Sequence, residues 1–351
     1  MKRLSLALCL FLFLFACSQE EKQEETQKGA VPYWQAQDSG VSASLRGLSA
    51  VSDQVAWASG SRGTVIRTTD GGATWKDVSI PETDTLEFRD IEAFDANTAI
   101  VLSAGLPAVI YKTTDGGQTW DQKYFSMKEG TFYDAMDFWN EQEGIAFGDA
   151  IDGRLLILRT SDGGESWQEL PFEQRPQALE GQGGFAASGT CLRTVGESQV
   201  YIGLGGKEAS LFYSFDKGES WQKTMTPIQS GESTEGIFSI DFKDEMTGLM
   251  VGGDYRGDSL TKINAAYTTD GGRNWFPVMA GMKPHGYRSG VAIWKNYVFV
   301  VGRESCDYYI DGGKAYIPME GKYYAVDVSR DKEAVWVSGP RGAVGKLGFR
   351  D

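Results

Sequence analysis

Residues 68–75 read Thr68-Thr69-Asp70-Gly71-Gly72-Ala73-Thr74-Trp75. An Asp side chain accepts hydrogen bonds from the amides of a tight turn, and the glycines after it supply the positive φ such a turn needs. The threonine closes one strand. The tryptophan opens the next, where its ring can be buried between sheets. The pattern Ser/Thr-x-Asp-x-Gly-x-x-Trp returns with Asp115 and Trp120, Asp162 and Trp167, Asp216 and Trp221, and Asp270 and Trp275, and a degenerate copy holds Asp311, Gly313 and Tyr316. Spacings of 41–54 residues between these aspartates match the period of propeller blades and similar arrays. Asp70, Asp115, Asp162, Asp216 and Asp270 therefore read as structural turn residues, not as catalytic carboxylates or metal ligands.

Outward from the first copy, residues 46–51, 55–60, 64–69 and 74–79 alternate apolar and polar positions and are rich in β-branched and aromatic side chains. They read as four strands, a to d from the axis outward. Further inner strands start near Phe88, Phe132, Thr190, Gly236, Tyr287 and Tyr323, which makes seven units. The seventh has three strands (323–328, 333–338, 343–348) before the chain ends. Its fourth is supplied by residues 32–36, with Trp34 where a turn tryptophan would stand. The expected fold is all-β: a seven-bladed β-propeller over residues 31–351, closed by the N-terminal strand in the last blade. Closure of this kind removes exposed sheet edges.

The repeated turn resembles the Asp-box, or bacterial neuraminidase repeat. The unit Trp57-Ala58-Ser59-Gly60-Ser61-Arg62-Gly63-Thr64-Val65-Ile66-Arg67 running into the first copy resembles the propellers related to the photosystem II assembly and stability factor. The expected function, a non-catalytic binding or assembly scaffold, rests on long loops and arginines that share one face and on the lack of a complete catalytic set; a lipid anchor and acidic tether at the N-terminus do not establish a photosynthetic role. Two hydrolase groups, sialidases and xyloglucanases, share the box, so a glycoside hydrolase using mouth carboxylates is the alternative. Phe88-Arg89-Asp90-Ile91 matches the sialidase arginine motif only loosely, its proline being absent. Asp90, Asp134, Asp254 and Glu235 are available acids, and no spacing singles out a pair.

Lys and Arg number 34 against 48 Asp and Glu, a net charge of −14. So acidic a chain lacks the basic footprint that nucleic-acid binding needs. His285 is the single histidine, which excludes a multi-histidine metal site and leaves one residue for a Ser-His-Asp triad. No metal or cofactor is implied. Gly181-Gln182-Gly183-Gly184-Phe185-Ala186 fits a dinucleotide fingerprint in letters only. In that fingerprint a helix must follow, and here another strand does, so the segment reads as a loop.

The chain opens with Lys2-Arg3 and an apolar run to Phe15, too short to span a bilayer and suited to a secretory signal. Leu14-Phe15-Ala16-Cys17 resembles a bacterial lipobox. The resemblance implies that residues 1–16 are removed and that Cys17 is lipidated. Residues 17–30 then form an acidic, flexible tether. Ser18-Gln19-Glu20-Glu21 resembles surface-export signals of Gram-negative lipoproteins. The expected location is the bacterial envelope, on the outer membrane, with either facing open, and the protein is expected as a monomer. Cys191 and Cys306 either pair or remain buried thiols, the latter being preferred.

In a propeller the a–b and c–d turns share one face; the d–a and b–c loops share the other. The long segments 171–189, 225–235, 252–262 and 279–286 all fall on the second face, and variable loops on a rigid scaffold concentrate binding. Arg46, Arg89, Arg193 and Arg288 are expected at the channel mouth of that face, with Arg62, Arg154, Arg256, Arg303 and Arg341 in or beside its b–c turns. Arg46, Arg62, Arg89, Arg193, Arg256 and Arg288 are the expected ligand-binding set, for an anionic protein segment or an anionic glycan. The competing reading pairs each arginine with a neighbouring acid such as Asp90, Asp134, Asp149, Asp152, Asp254 or Asp258.

Overall fold

The computed structural model describes residues 30–257 and 262–350. Cys17, the signal segment, nearly all of the tether and Asp258 lie outside these residues. Seven antiparallel sheets follow one another along the chain, and inner strands of successive blades pack side by side around an axis. The first blade is Leu45–Ala50, Ala56–Gly60, Val65–Thr68 and Lys76–Asp77. The inner strands of blades 2 to 7 are Glu87–Ala93, Tyr133–Phe138, Leu192–Val195, Glu235–Phe242, Gly290–Trp294 and Ala325–Val328. The outer strand of the first blade is shorter than the sequence suggests, because the turn holds residues 70–75 out of the ladder.

Blade 7 is closed as expected. Val31–Gln37 pairs antiparallel with Val344–Arg350, setting Trp34 opposite Leu347. Trp34 is buried against Phe299 and Tyr323, with ring centroids 5.5 and 6.0 Å away.

The turn chemistry recurs copy by copy. Asp115 accepts from the Thr119 amide (2.9 Å) and hydroxyl (2.7 Å) and from the Thr113 hydroxyl (2.9 Å). Asp70, Asp162, Asp216 and Asp270 make the equivalent bonds. These donors hold Asp70, Asp115 and Asp162 at a pKa of about 2. The core lies between blades, where Trp57 and Trp336 are wholly buried. Cys191 and Cys306 are buried free thiols in blades 4 and 6.

Candidate functional site: the loop-face mouth

Four inner strands carry a β-bulge near their loop-face ends. The ladder skips one residue between Leu45 and Gly47, Phe88 and Asp90, Tyr133 and Ala135, and Ile237 and Ser239. The skipped residues are Arg46, Arg89, Asp134 and Phe238. A bulge re-aims its extra side chain and bends the strand. All four of these side chains line one cavity of about 370 Å³ at the channel mouth, together with Asp149, Phe185, Tyr255, Tyr287, Arg303 and Tyr324. Asp149 is itself bulged, between Gly148 and Ala150. In blades 1, 3 and 5 the strand facing the bulge carries Gly60, Gly148 or Gly252, where a Cβ would strike the bulged backbone.

The floor of the mouth is the long 171–189 segment, which crosses the axis as a strap. Ala187 accepts from Arg46 (3.2 Å) and Ala186 from Arg89 (3.3 Å) through their carbonyls, while the Ser188 hydroxyl donates to the Ser289 carbonyl in blade 6 (2.7 Å). Gln182–Gly183 pairs with Gly205–Gly206, extending the sheet of blade 5. The glycine-rich stretch is thus a strand and a floor, with no helix after it.

Arg46 and Arg89 are half-buried. Arg46 stacks on Tyr324, 4.3 Å from the ring centre. Glu87 stands 3.7 Å from Arg89. Burial, and next the charge of Arg89, push the Arg46 guanidinium below its usual range. Asp134 is 1% exposed and neither oxygen has a well-formed hydrogen bond. Burial, then the neighbouring Asp149, raise it well above the carboxylate range against the pull of Arg89. The mouth offers the guanidinium groups of Arg46, Arg89 and Arg303, a buried acid group and an aromatic wall. That set suits a carboxylate or other anion flanked by apolar groups.

The structure does not bring the whole expected set together. Arg193 stands at the opposite end of the channel, 3.0 Å from Asp241. Its strand has no bulge and begins late, because the strap occupies the upper axis. There it faces Glu92, Asp137 and Asp327 in a cavity of about 570 Å³. Burial opposes its charge, but this ring of carboxylates, led by Asp241, holds its pKa above the usual value. Arg288 precedes its strand and turns inward, wholly buried on Asp307. For Arg193 and Arg288, pairing with a neighbouring acid is the observed outcome. Arg62 lies on the rim, bonded to Ser42 (3.0 Å), and Arg256 sits beside Tyr255. The aromatic wall escaped the sequence reading: Phe132, Phe238, Tyr255, Tyr287 and Tyr324 come from blades 3, 5, 6 and 7, and Phe185 from the strap.

Fold and site together define a closed seven-bladed β-propeller with a recessed mouth on bulged inner strands. The family described as Photosynthesis system II assembly factor YCF48 matches residues 26–129 and 90–183. Among solved structures, YCF48 bound to D1 peptide is 18% identical, covering 89% of this chain and 96% of that one, with a TM-score of 0.65. YCF48 from Cyanidioschyzon merolae is also 18% identical, over 90% and 98% of the two chains, with a TM-score of 0.62. The GH74 xyloglucanase from Xanthomonas campestris is 14% identical, over 88% of this chain and 53% of that one, at 0.58. These likenesses show the fold. No curated protein matches the chain.

Proposed function

We propose that this protein is a non-catalytic binding or assembly scaffold, held on a membrane by lipidated Cys17, whose loop-face mouth takes an anionic protein segment. The observation that carries the reading is the pair of bulged arginines, Arg46 and Arg89, aimed into one cavity, with Glu87 at 3.7 Å from Arg89 the one ion-pair partner of the two among the described residues. The solved YCF48 bound to a D1 peptide supports a protein segment over a glycan. The hydrolase alternative needs two accessible acids facing each other across a groove. Here Asp134 and Asp149 share one wall beneath Gly183 and Gly184, Asp90 is buried, and Glu235 is buried on Lys262.

Titration calorimetry with an acidic, aromatic-containing peptide tests the mouth. Replacing Arg46 and Arg89 together by Gln should weaken binding about 10- to 100-fold, since a charged hydrogen bond contributes ~1.5–3 kcal/mol. Added salt should weaken the wild type and leave the double variant nearly unchanged. Equal affinity of the two proteins would sink the proposal. The anchor is tested by Cys17→Ala, which should abolish fatty-acid labelling and release the protein from membranes. Among the described residues no helix is long and apolar enough to cross a membrane.

A further inference from the structure

Four loop-face connections share a plan that the mouth alone does not explain. They lead from the outer strands of blades 2, 3, 4 and 5 inward to the next inner strand. Within three residues of the end of its outer strand, each presents a large apolar side chain to solvent: Met127 is 60% exposed, Phe172 42%, Met225 59% and Met279 68%. Toward the axis, each delivers a residue to the wall of the mouth: Phe132, Phe185, Ser233 and Tyr287 in turn. Leu179 and Met282, also exposed, add to the apolar surface between the two ends. Among the described residues, blades 6, 7 and 1 have no counterpart. Their outer strands are followed by Glu320, by Asp38, and by Val78 and Ile80, which are buried. Single exposed apolar side chains are ordinary. An arc of them on four consecutive blades, on the face that holds the mouth, marks a contact surface. Three of the four are methionines, whose unbranched, polarisable side chains adapt to irregular partners and are enriched at interfaces.

Three observations say what covers the arc. It is continuous with the mouth, since each connection has one end in the arc and the other in the mouth wall. A segment seated in the mouth and leaving over blades 2 to 5 passes across it. Exposed carboxylates, Glu129, Glu173 and Glu232, stand among the apolar side chains. A hydrocarbon surface would have to desolvate these charges, whereas protein interfaces mix apolar and polar groups. The chain also enters the ring on the opposite face, because Val31 pairs with Arg350 at the turn-face end of blade 7. The arc is thus turned away from whatever holds the N-terminus. Its distance from the mouth has an upper bound. Five residues of chain lead from Met127 to Phe132 and eight from Met279 to Tyr287, at most roughly 18 and 29 Å when extended. An extended partner covers the same span in about five to eight residues.

We propose that the apolar arc and the arginine mouth form one interface, and that its partner is a protein segment whose acidic group is bounded by large apolar side chains about five to eight residues away. This rests on the mouth taking an anionic segment and adds the apolar contact that selects among such segments. A phage library of random 20-residue peptides, selected on the chain from Ser18, tests both layers. Enriched peptides should carry Asp or Glu, with Leu, Ile, Met or Phe about five to eight residues from it. In calorimetry with the most enriched peptide, Met225→Asp with Met279→Asp should weaken binding at least tenfold. Both positions are exposed, so the circular dichroism melt should not change. Met246→Asp, exposed on the turn face, should alter binding less than twofold. Replacing the peptide's apolar residues by Ser should cost the wild type as much as the double variant loses, and should cost the double variant less than twofold. Enrichment of acidic peptides with no apolar flank, or equal affinity of the Met225/Met279 variant, would overturn the arc and leave the mouth standing. Enrichment of peptides without an acid, or no enrichment at all, would overturn both.

Discussion

Replacing Arg288 by Met should destabilise the ring and leave the mouth intact. Arg288 is 0% exposed and Asp307 1%. The guanidinium holds Asp307 through Nε (3.1 Å) and a second nitrogen, donates to the Tyr287 carbonyl (2.7 Å) and reaches the Ser305 hydroxyl (3.1 Å). Methionine fills much of the volume but removes the charge, leaving a buried carboxylate with only the amide and ring of His285, at 3.1 and 2.8 Å. Breaking a buried pair from one side costs about 3–5 kcal/mol, because the surviving charge stays desolvated. An unfolding entropy of ~2.1 cal/mol/K per residue over roughly 320 residues gives ~1.5 °C per kcal/mol, hence a fall in Tm of about 4–8 °C. Adding Asp307→Asn should restore most of it, since a neutral amide is cheaper to bury. Differential scanning calorimetry of the two single variants and the double variant forms the cycle. A loss under 1 kcal/mol, or no recovery in the double variant, would refute the reasoning. Peptide affinity should stay within twofold; a large loss would return Arg288 to the mouth, where its sequence position first suggested it.

Other outcomes follow from the same geometry. Burial raises Asp90 to a pKa of about 8 and Asp327 to about 6, above the unfolded value of ~3.9. The folded state then binds more protons than the unfolded one between pH ~4 and ~8, so Tm should fall as pH rises through that window, and Asp90→Asn should flatten the slope. The turn aspartates work the other way: with folded values near 2 for Asp70, Asp115 and Asp162, their stabilisation is present above pH ~4 and is lost below it. Trp34→Ala should cost about 3–5 kcal/mol in urea unfolding by emptying the site beside Phe299 and Tyr323; a value below 1 would mean that closure contributes little. At Gly184 a Cβ would stand 2.6 Å from the Asp134 carboxyl carbon. Gly184→Ala should therefore cost about 1–3 kcal/mol and weaken peptide binding measured by calorimetry, although it touches neither arginine.

The ring was legible because its signal is local. Five copies of a turn whose Asp, Gly and Trp act within eight residues announce their blades one at a time, and Trp34 betrays the missing strand of the last. The mouth was half legible. Arg46, Arg89, Arg193 and Arg288 look alike in the sequence, each near the start of an inner strand. What separates them is tertiary: a bulge under the first two, the strap displacing the third, and a buried aspartate capturing the fourth. A trace of the bulges was available in Gly60, Gly148 and Gly252, glycines within second strands where a side chain would otherwise be expected. The burial of Asp134 has no sequence signal, because it depends on the strap lying over it.

The closing strand also dictates when the protein can finish folding. Val31, at the start of the closing strand, must find Arg350, at the end of its partner strand. The first strand to be synthesised therefore waits with both edges unpaired until the last one has been delivered. Contacts separated by so much chain form slowly, and an unpaired strand is exposed to wrong partners while it waits. Each completed blade can assemble as it emerges, but the ring gains its final cooperative unit only after release. A chain shortened by a few C-terminal residues would lose more than those residues, because it would strand the N-terminal segment as well.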